Sequence, residues 1–476
     1  AKAMEREDTK SGNVLARVLE WVWQQLTPPE QDALGHCALF HGGFSSEAAE
    51  DVIDLSGHSP APSEHEVVRS LRARGLVAGE DLHLEMHPSV RLFALRKLDA
   101  SRQLDAAATR HAARTLRVGR SASTELERTG SRDALRRLQL ETGNLLAVLE
   151  RTLAVAPPTA VSATQALEAV QCLAPAVDAS GPFELGLGWM DAAIGAAGKL
   201  PIDKRLRAEI LLARGRLRRA RGDVKGSTGD LYDAHDIATV GDDRAFESAV
   251  LTEVGLTLQA KGKHEEGRKA HEQALTLARL VKDDRREGQA LFHLGGLHDA
   301  AGKVPAAQSA FQDAAAAFAR CGARRSEGAV FAAFGAMLQQ HGDLDAARGV
   351  LEKALAIHQE VRDRTLEGAT VGRLASVAME AGQYDAGREL FLRAIQMQAE
   401  RGDRRSEAAL RGHLGILEHL DGKVEDSRTS LVKAIWMLGD LGDLHVEGLY
   451  LAFLAGLVSS LGTLDTGAES FDLAKR

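Results

Sequence analysis

"DRTLEGATVGRLASVAMEAGQYDAGRELFLRAIQMQAERG", Asp363 to Gly402, decides the fold, because its landmarks recur every 40 residues. Gly382 has copies at 222, 262, 302, 342, 422 and 462, and Ala394 at 234, 274, 314, 354, 434 and 474. Glu367 is repeated at 247, 287, 327, 407 and 447. Ala375 belongs to a small-residue series with Gly215, Gly255, Gly295, Gly335, Gly415 and Ala455. A period of this size signals stacked supersecondary units. Asp363 is placed to cap a first helix, and Glu367 lies in its first turn, where the helix dipole favours negative charge. Leu374, with Val254, Leu294, Phe334, Leu414 and Leu454, gives that helix a buried stripe, and Gly382 suits a left-handed C-cap. A second helix carries Phe391 three residues before Ala394, as Phe311, Leu351, Leu431 and Phe471 precede their alanines. Small residues recur where two helices approach closely, and the larger apolar residue fills the space beside them. No unit buries its own face alone, so the units must stack. The pattern predicts seven units from about 208 to 476, ending within a second helix. An eighth, degenerate unit is expected upstream, with Trp189 and Ala193 in its second helix.

The 476 residues suffice for two or three domains. The divisions expected are a linker over 1–14, a small domain over 15–100, a helical connector over 101–180 and the repeats over 181–476. Only 4% of residues are aromatic and alanine is abundant, which favours tightly packed helices. A net charge of −8 argues against a nucleic-acid binder, which usually carries a basic surplus. Cys37, Cys172 and Cys321 are far apart, so neither a disulfide framework nor a zinc site is expected. No apolar run reaches the roughly 18 residues of a membrane span, and no signal peptide opens the chain, so a cytoplasmic location is expected. The polar opening "AKAMEREDTKSGN" reads as the cut end of a longer protein.

In the N-terminal third, Leu15, Val18, Leu19, Val22 and Leu26 predict an amphipathic helix. Thr27-Pro28-Pro29-Glu30 is a capping box with proline at the first helical position. That helix is expected to run to about Phe40; a third follows Ser45-Ser46, and a fourth covers Val67 to Arg74. Leu76 to Met86 reads as a short β-hairpin. In "HLEMHPSVRLFAL", period-2 alternation gives way to helical spacing at Pro88, placing His87 at a strand-to-helix corner. Three helices and a hairpin predict a winged helix. Arg69, Arg72 and Arg74 could meet DNA phosphates, but the acidic total favours a solvated face.

The small residue, large residue and alanine at these spacings resemble the tetratricopeptide repeat (TPR), lengthened from about 34 to 40 residues. The fold expected is all-α: a TPR-type α-solenoid, a right-handed superhelix of helix hairpins, preceded by a small winged-helix domain and a helical connector. "LEWVWQQLTPPEQDALGHCALFHGGFSSEAAEDVI" and "VVRSLRARGLVAGEDLHLEMHPSVRLFALRKL" resemble the winged-helix domain of STAND-class (NB-ARC-like) signalling ATPases. "LQLETGNLLAVLERTL", from 138 to 153, resembles the connector of the bacterial TPR-bearing regulators in that class. The resemblance implies a winged helix packed on a nucleotide-binding core rather than on DNA. It also implies that His87, in Met86-His87-Pro88, matches the histidine of the family's Met-His-Asp motif, which contacts the β-phosphate of ADP. Pro88 replaces the Asp and removes a carboxylate; a satisfied corner histidine is the alternative. No G-x-x-x-x-G-K-[ST] phosphate loop occurs, so ATP or ADP is expected on a core upstream and no cofactor in this chain.

Repeat arithmetic places a candidate concave groove on the first helices. One column reads Glu253, His293, Ala333, Arg373, His413, Phe453; the next reads Gln259, Asp299, Gln339, Met379, His419, Ser459. Arg216 is assigned to the same lining. Small residues between the columns leave room for a guest that the sparse polar groups could orient; the bland reading is simple solvation. Arg214, Arg218, Arg219 and Arg221 make a candidate basic interface at the start of the repeats, or a solvated end repeat. No catalytic motif stands out: His264-Glu265 and His271-Glu272 are not H-E-x-x-H. The chain reads as a non-enzymatic sensing and autoinhibitory region. Its repeats bind a protein, peptide or small-molecule trigger, and its winged helix relays the signal to the upstream core, with oligomerisation on activation. DNA and membrane are not expected partners. The alternative is a passive TPR scaffold.

Overall fold

Turn chemistry sets the element boundaries. The computed structural model describes residues 4–460, with side chains over 14–457 apart from Ser180. Gly462, Phe471, Ala474, the side chain of Ser459 and the expected chain end lie outside the described residues. Two compact units are present, one ending at Lys263 and the other beginning at His264.

The first unit opens with α1 (Met4–Gln24), α2 (Pro28–Cys37), α3 (Ser46–Val52) and α4 (Glu64–Ala73), then β1 (Ala78–Glu80), β2 (His83–Glu85) and α5 (Pro88–Ala100). Thr27 caps α2, and its backbone N–H donates to Glu30 Oε2 at 2.8 Å. Glu30 Oε1 accepts from Ser70 at 2.6 Å and from Arg74 at 3.2 Å, tying α2 to α4. Burial alone would raise the Glu30 carboxyl; the bonds from Ser70 and Thr27 outweigh it and hold it below its ordinary value. The strands pair antiparallel, Gly79 opposite Leu84, and Leu84 exchanges backbone bonds of 2.9 and 2.7 Å with Phe44 on its other side. The apolar stripe of α1 departs from expectation. Leu15 and Val18 are exposed, whereas Val22 and Trp23 pack on the core, Trp23 edge-on to Phe93. Leu26 is buried but lies beyond the helix end, where the chain turns into the Thr27 cap.

The first unit continues with α6 (Leu104–Thr129), α7 (Arg132–Leu153), α8 (Ala160–Ser180), α9 (Phe183–Ala197), α10 (Lys204–Ala220), α11 (Val224–Val240) and α12 (Arg244–Ala260). A single apolar core runs from Ala112 on α6 to Leu217 on α10, and α8 packs on α6, α7, α9 and α10. The division expected near residue 180 is therefore no packing boundary, because the connector helices and the first repeats bury one another.

The second unit is helical throughout its described residues: α13 (His264–Leu280), α14 (Asp284–Ala300), α15 (Val304–Arg320), α16 (Arg324–Gln340), α17 (Leu344–Glu360), α18 (Arg364–Glu380), α19 (Tyr384–Glu400), α20 (Arg404–Leu420), α21 (Val424–Asp440) and α22 (Leu444–Ser460). Side chains of Asp283, Asp363 and Asp403 accept from Arg286, Leu366 and Ser406 backbone N–H groups at 3.0, 3.2 and 3.1 Å, capping the first helices. Gly302, Gly342, Gly382 and Gly422 turn each hairpin with φ between 70° and 81°, the left-handed region that glycine enters without a Cβ penalty. The links between hairpins are also left-handed, at Lys282, Gly322, Arg362, Gly402 and Gly442. Within hairpins, Phe311 and Leu431 lie over Gly295 and Gly415, while Phe391 packs in the same core as Ala375. These helix hairpins make a TPR-type α-solenoid, all-α apart from the one β-hairpin. No helix among the described residues is long and apolar enough to cross a membrane.

Candidate functional site on the first-helix faces

Helical periodicity puts residues 293, 296 and 299 of α14, and their equivalents 40 and 80 residues on, along one face of the first helices. In the second unit α16 contacts α18, α18 contacts α20, and α20 contacts α22, so successive first helices are neighbours. Gly296 is exposed, Ala333, Ala336 and Ser376 are half-buried, and the face carries little side-chain bulk. The polar residues fall into two groups. Asp299 accepts from His341 Nε2 at 2.8 Å, and Gln339 donates to Glu380 at 2.6 Å. Both bonds join one repeat to the next and occupy groups that spacing presented as open to a guest.

The histidines are engaged by aromatic contact. His293 stacks on His271 with ring centroids 5.1 Å apart and meets Phe292 edge-on. His413 lies between Phe391 and Tyr450, at 6.3 and 6.1 Å, and burial holds its imidazole below the ordinary value. His419 packs edge-on against Phe453 at 5.6 Å. Met379 is half-buried against the core of Phe391 and Leu417. Arg373 differs from all of these. Its side chain is exposed and makes no hydrogen bond or ion pair among the described residues. Its neighbours in the column are Ala333 and His413.

In the first unit the expected groove residues Arg216 and Glu253 bind each other. Glu253 accepts from Arg216 at 2.8 Å and from Arg219 at 3.0 Å, linking α10 to α12. Gln259 is half-buried on α12. Each guanidinium of the basic interface expected from Arg214, Arg218, Arg219 and Arg221 has an acidic partner in its own unit. Asp230, 3% exposed, accepts from Arg214 at 2.5 and 2.9 Å and from Arg218 at 2.9 Å. Asp191 accepts from both arginines, and Arg221 pairs with Glu184. Two arginines thus stand where later repeats bury Val254 and Leu258, matched by a buried carboxylate where those repeats place Ala270 and Ala310.

His87 is exposed and caps α5, its Nδ1 accepting from the backbone N–H of Ser89 at 3.3 Å. Arg72 pairs with Asp81 and Arg74 with Glu30, which removes two of the three charges that a DNA-reading helix would use. Sequence reasoning passed over two residues beside the first-helix face. Tyr450 is 2% exposed, packs where Gly412 has no side chain and donates to Ala409 O at 2.9 Å; burial pushes its hydroxyl up to about 12. Glu418 is 7% exposed at the position of Leu338 and Ala378, and burial raises its carboxyl.

Residues 246–320 match the tetratricopeptide repeat family. No curated protein matches the chain by sequence. Among solved structures, the apo form of the quorum sensor NprR from B. thuringiensis is 14% identical, with a TM-score of 0.50 over 76% of this chain and 96% of that one. A STAND protein with a tetratricopeptide repeat sensor from Pyrococcus horikoshii is 15% identical, with a TM-score of 0.49 over 91% of this chain and 67% of that one. A Rap protein complexed with competence and sporulation factor is 14% identical, with a TM-score of 0.46 over 74% and 99%. At 14% identity the likeness to the quorum sensor is one of fold alone.

Proposed function

We propose that this chain is the ligand-sensing region of a signalling protein and that the first-helix face of its second unit binds a peptide or protein trigger. The observation that carries the reading is Arg373. An exposed guanidinium with no partner among the described residues, on a face of Ala333, Ala336 and Ser376, offers a fork of donors to a carboxylate and leaves room for an extended backbone. Half-buried aromatic surface at His413 and Phe453 lies along the same column.

The wider reading rests on the resemblance of the sequence to STAND-class ATPases. The order α2, α3, α4 and a β-hairpin, with Phe44 as a second backbone partner of Leu84 beside Gly79, supports reading this part as a winged helix. In this reading the winged helix rests on an upstream core that holds ADP, and His87 reaches that nucleotide. The trigger binds the open state more tightly, so the population shifts toward ADP release, ATP binding and oligomerisation. The chain itself works in the cytoplasm without catalysing a reaction or holding a cofactor, and takes neither DNA nor membrane as a partner.

The test begins with selection of displayed peptides on the chain. Enriched peptides should carry an acidic side chain or a free carboxyl terminus, and Arg373→Glu should weaken their binding about tenfold or more with helicity unchanged. Equal binding to the variant sinks the site. In the full-length protein a selected peptide should accelerate ADP release, and His87→Ala should shorten ADP retention. Tight peptide binding with unchanged ADP retention would leave a passive scaffold.

A further inference from the structure

Arg91 on α5, Arg151 on α7 and His41, between α2 and α3, surround a cavity of about 340 Å³ within the first unit, with Arg96 at its side. The two inner arginines are held by imidazoles instead of carboxylates. His41 Nδ1 lies 3.3 Å from Leu39 O, which places its proton there and leaves Nε2 to accept from Arg91. Arg151 donates to Nδ1 of the fully buried His111 at 2.8 Å. Both rings therefore act as neutral acceptors, and neither offsets the charge of its arginine. Nearby Arg114 shows the contrast, since Glu141 accepts from it at 2.6 Å. Asp99 and Glu150 also line the cavity, but both are exposed. Burial pulls the Arg151 guanidinium down to about 10, as expected of a cation without a countercharge.

We propose that the cavity between α5 and α7 binds the phosphate group of a small phosphorylated ligand, with Arg91, Arg151 and Arg96 as its donors. Guanidinium forks match the oxygens of phosphate, and Arg91 and Arg151, whose imidazole partners carry no countercharge, keep donors free for them; Arg96 adds a third fork at a rim it shares with the exposed Asp99 and Glu150. The volume suits a small phosphomonoester. The site is separate from the first-helix face and independent of the trigger reading. It joins α5 to α7, so occupancy stiffens the contact between the hairpin-bearing part of this unit and its long helices.

The experiment titrates the chain with inorganic phosphate, and in parallel with succinate, at constant ionic strength, following amide shifts by NMR and the thermal midpoint. Phosphate should produce saturable shifts at residues of α5 and α7 and raise the midpoint. Arg91→Gln and Arg96→Gln should each weaken the apparent affinity about tenfold or more. Arg96 is exposed, so its variant folds as the parent does and keeps the test decisive. No saturable response to phosphate overturns the proposal, as does equal affinity in both variants. Saturation by succinate with no effect of phosphate overturns the phosphate assignment.

Discussion

Leu351 occupies the space that a side chain at Gly335 would need: a Cβ added to Gly335 meets Leu351 Cγ at 2.5 Å. Leu351 is fully buried, so it has nowhere to withdraw. Gly335→Ala gains about 1 kcal/mol of helix propensity and loses about 1–3 kcal/mol to overpacking. The predicted outcome is a lower thermal midpoint. Gly349→Ala, on an exposed helical position with nothing within 4 Å, should raise it. A rise in both variants would contradict the close approach.

Backbone strain at the links between repeats gives a second prediction. Arg362 is exposed and has φ 55°, a conformation that costs an L-residue about 1–2 kcal/mol. Arg362→Gly should stabilise the second unit, and Gly382→Ala, at φ 72°, should destabilise it by a similar amount. Paired urea melts of the two variants read the opposite signs directly.

The cluster of Arg214, Arg218 and Asp230 should behave as a unit. Removing Arg214 alone leaves a carboxylate that is 3% exposed with the half-buried Arg218 as its remaining partner, a loss on the order of 3 kcal/mol. Replacing all three by the apolar residues of the later repeats (Arg214→Val, Arg218→Leu, Asp230→Ala) should restore most of that stability, because no buried charge is left. A triple variant less stable than Arg214→Ala would show that the charges contribute more than their desolvation costs.

Acid should weaken the fold below neutrality. Burial holds His36, His41, His111, His358 and His413 below the ordinary imidazole value, His111 well below it. The folded chain therefore binds fewer protons than the unfolded chain once pH falls under about 6.5. The stability these groups contribute is fully present above that pH and is lost as pH falls toward their depressed folded values. Each contributes up to about 1.4 kcal/mol per pH unit in this window. Asp178, Glu209 and Glu418, raised by burial, act in the opposite sense and are outnumbered. The thermal midpoint should drop between pH 7 and pH 5.5, and His358→Gln should flatten the drop. A midpoint that climbs over this range would contradict the assignment.

The hairpins were legible because each landmark is a local requirement met again every 40 residues. Gly302 and Gly382 mark left-handed turns, Asp363 a cap, and Phe391 with Ala375 a close packing pair. The corner at His87 was legible for the same reason, since Pro88 starts α5 within one turn of the strand. Pairings between distant positions left no local mark. Arg214 and Arg218 looked like a basic face because Asp191 and Asp230 lie on other helices. The left-handed Lys282 and Arg362 were hidden because neither residue type favours that conformation. Column arithmetic lines up residues of the first helices, yet it could not see His341 on Asp299 or Glu380 on Gln339. The arginines of the anion cavity are 60 positions apart, Arg91 to Arg151, and only the fold brings them together.

The most direct test of the central claim is hydrogen exchange on the chain with a saturating selected peptide. Slowed exchange should appear in α16, α18 and α20, centred on Arg373, and vanish with Arg373→Glu. Protection confined to the second helices α15, α17, α19 and α21 would contradict it.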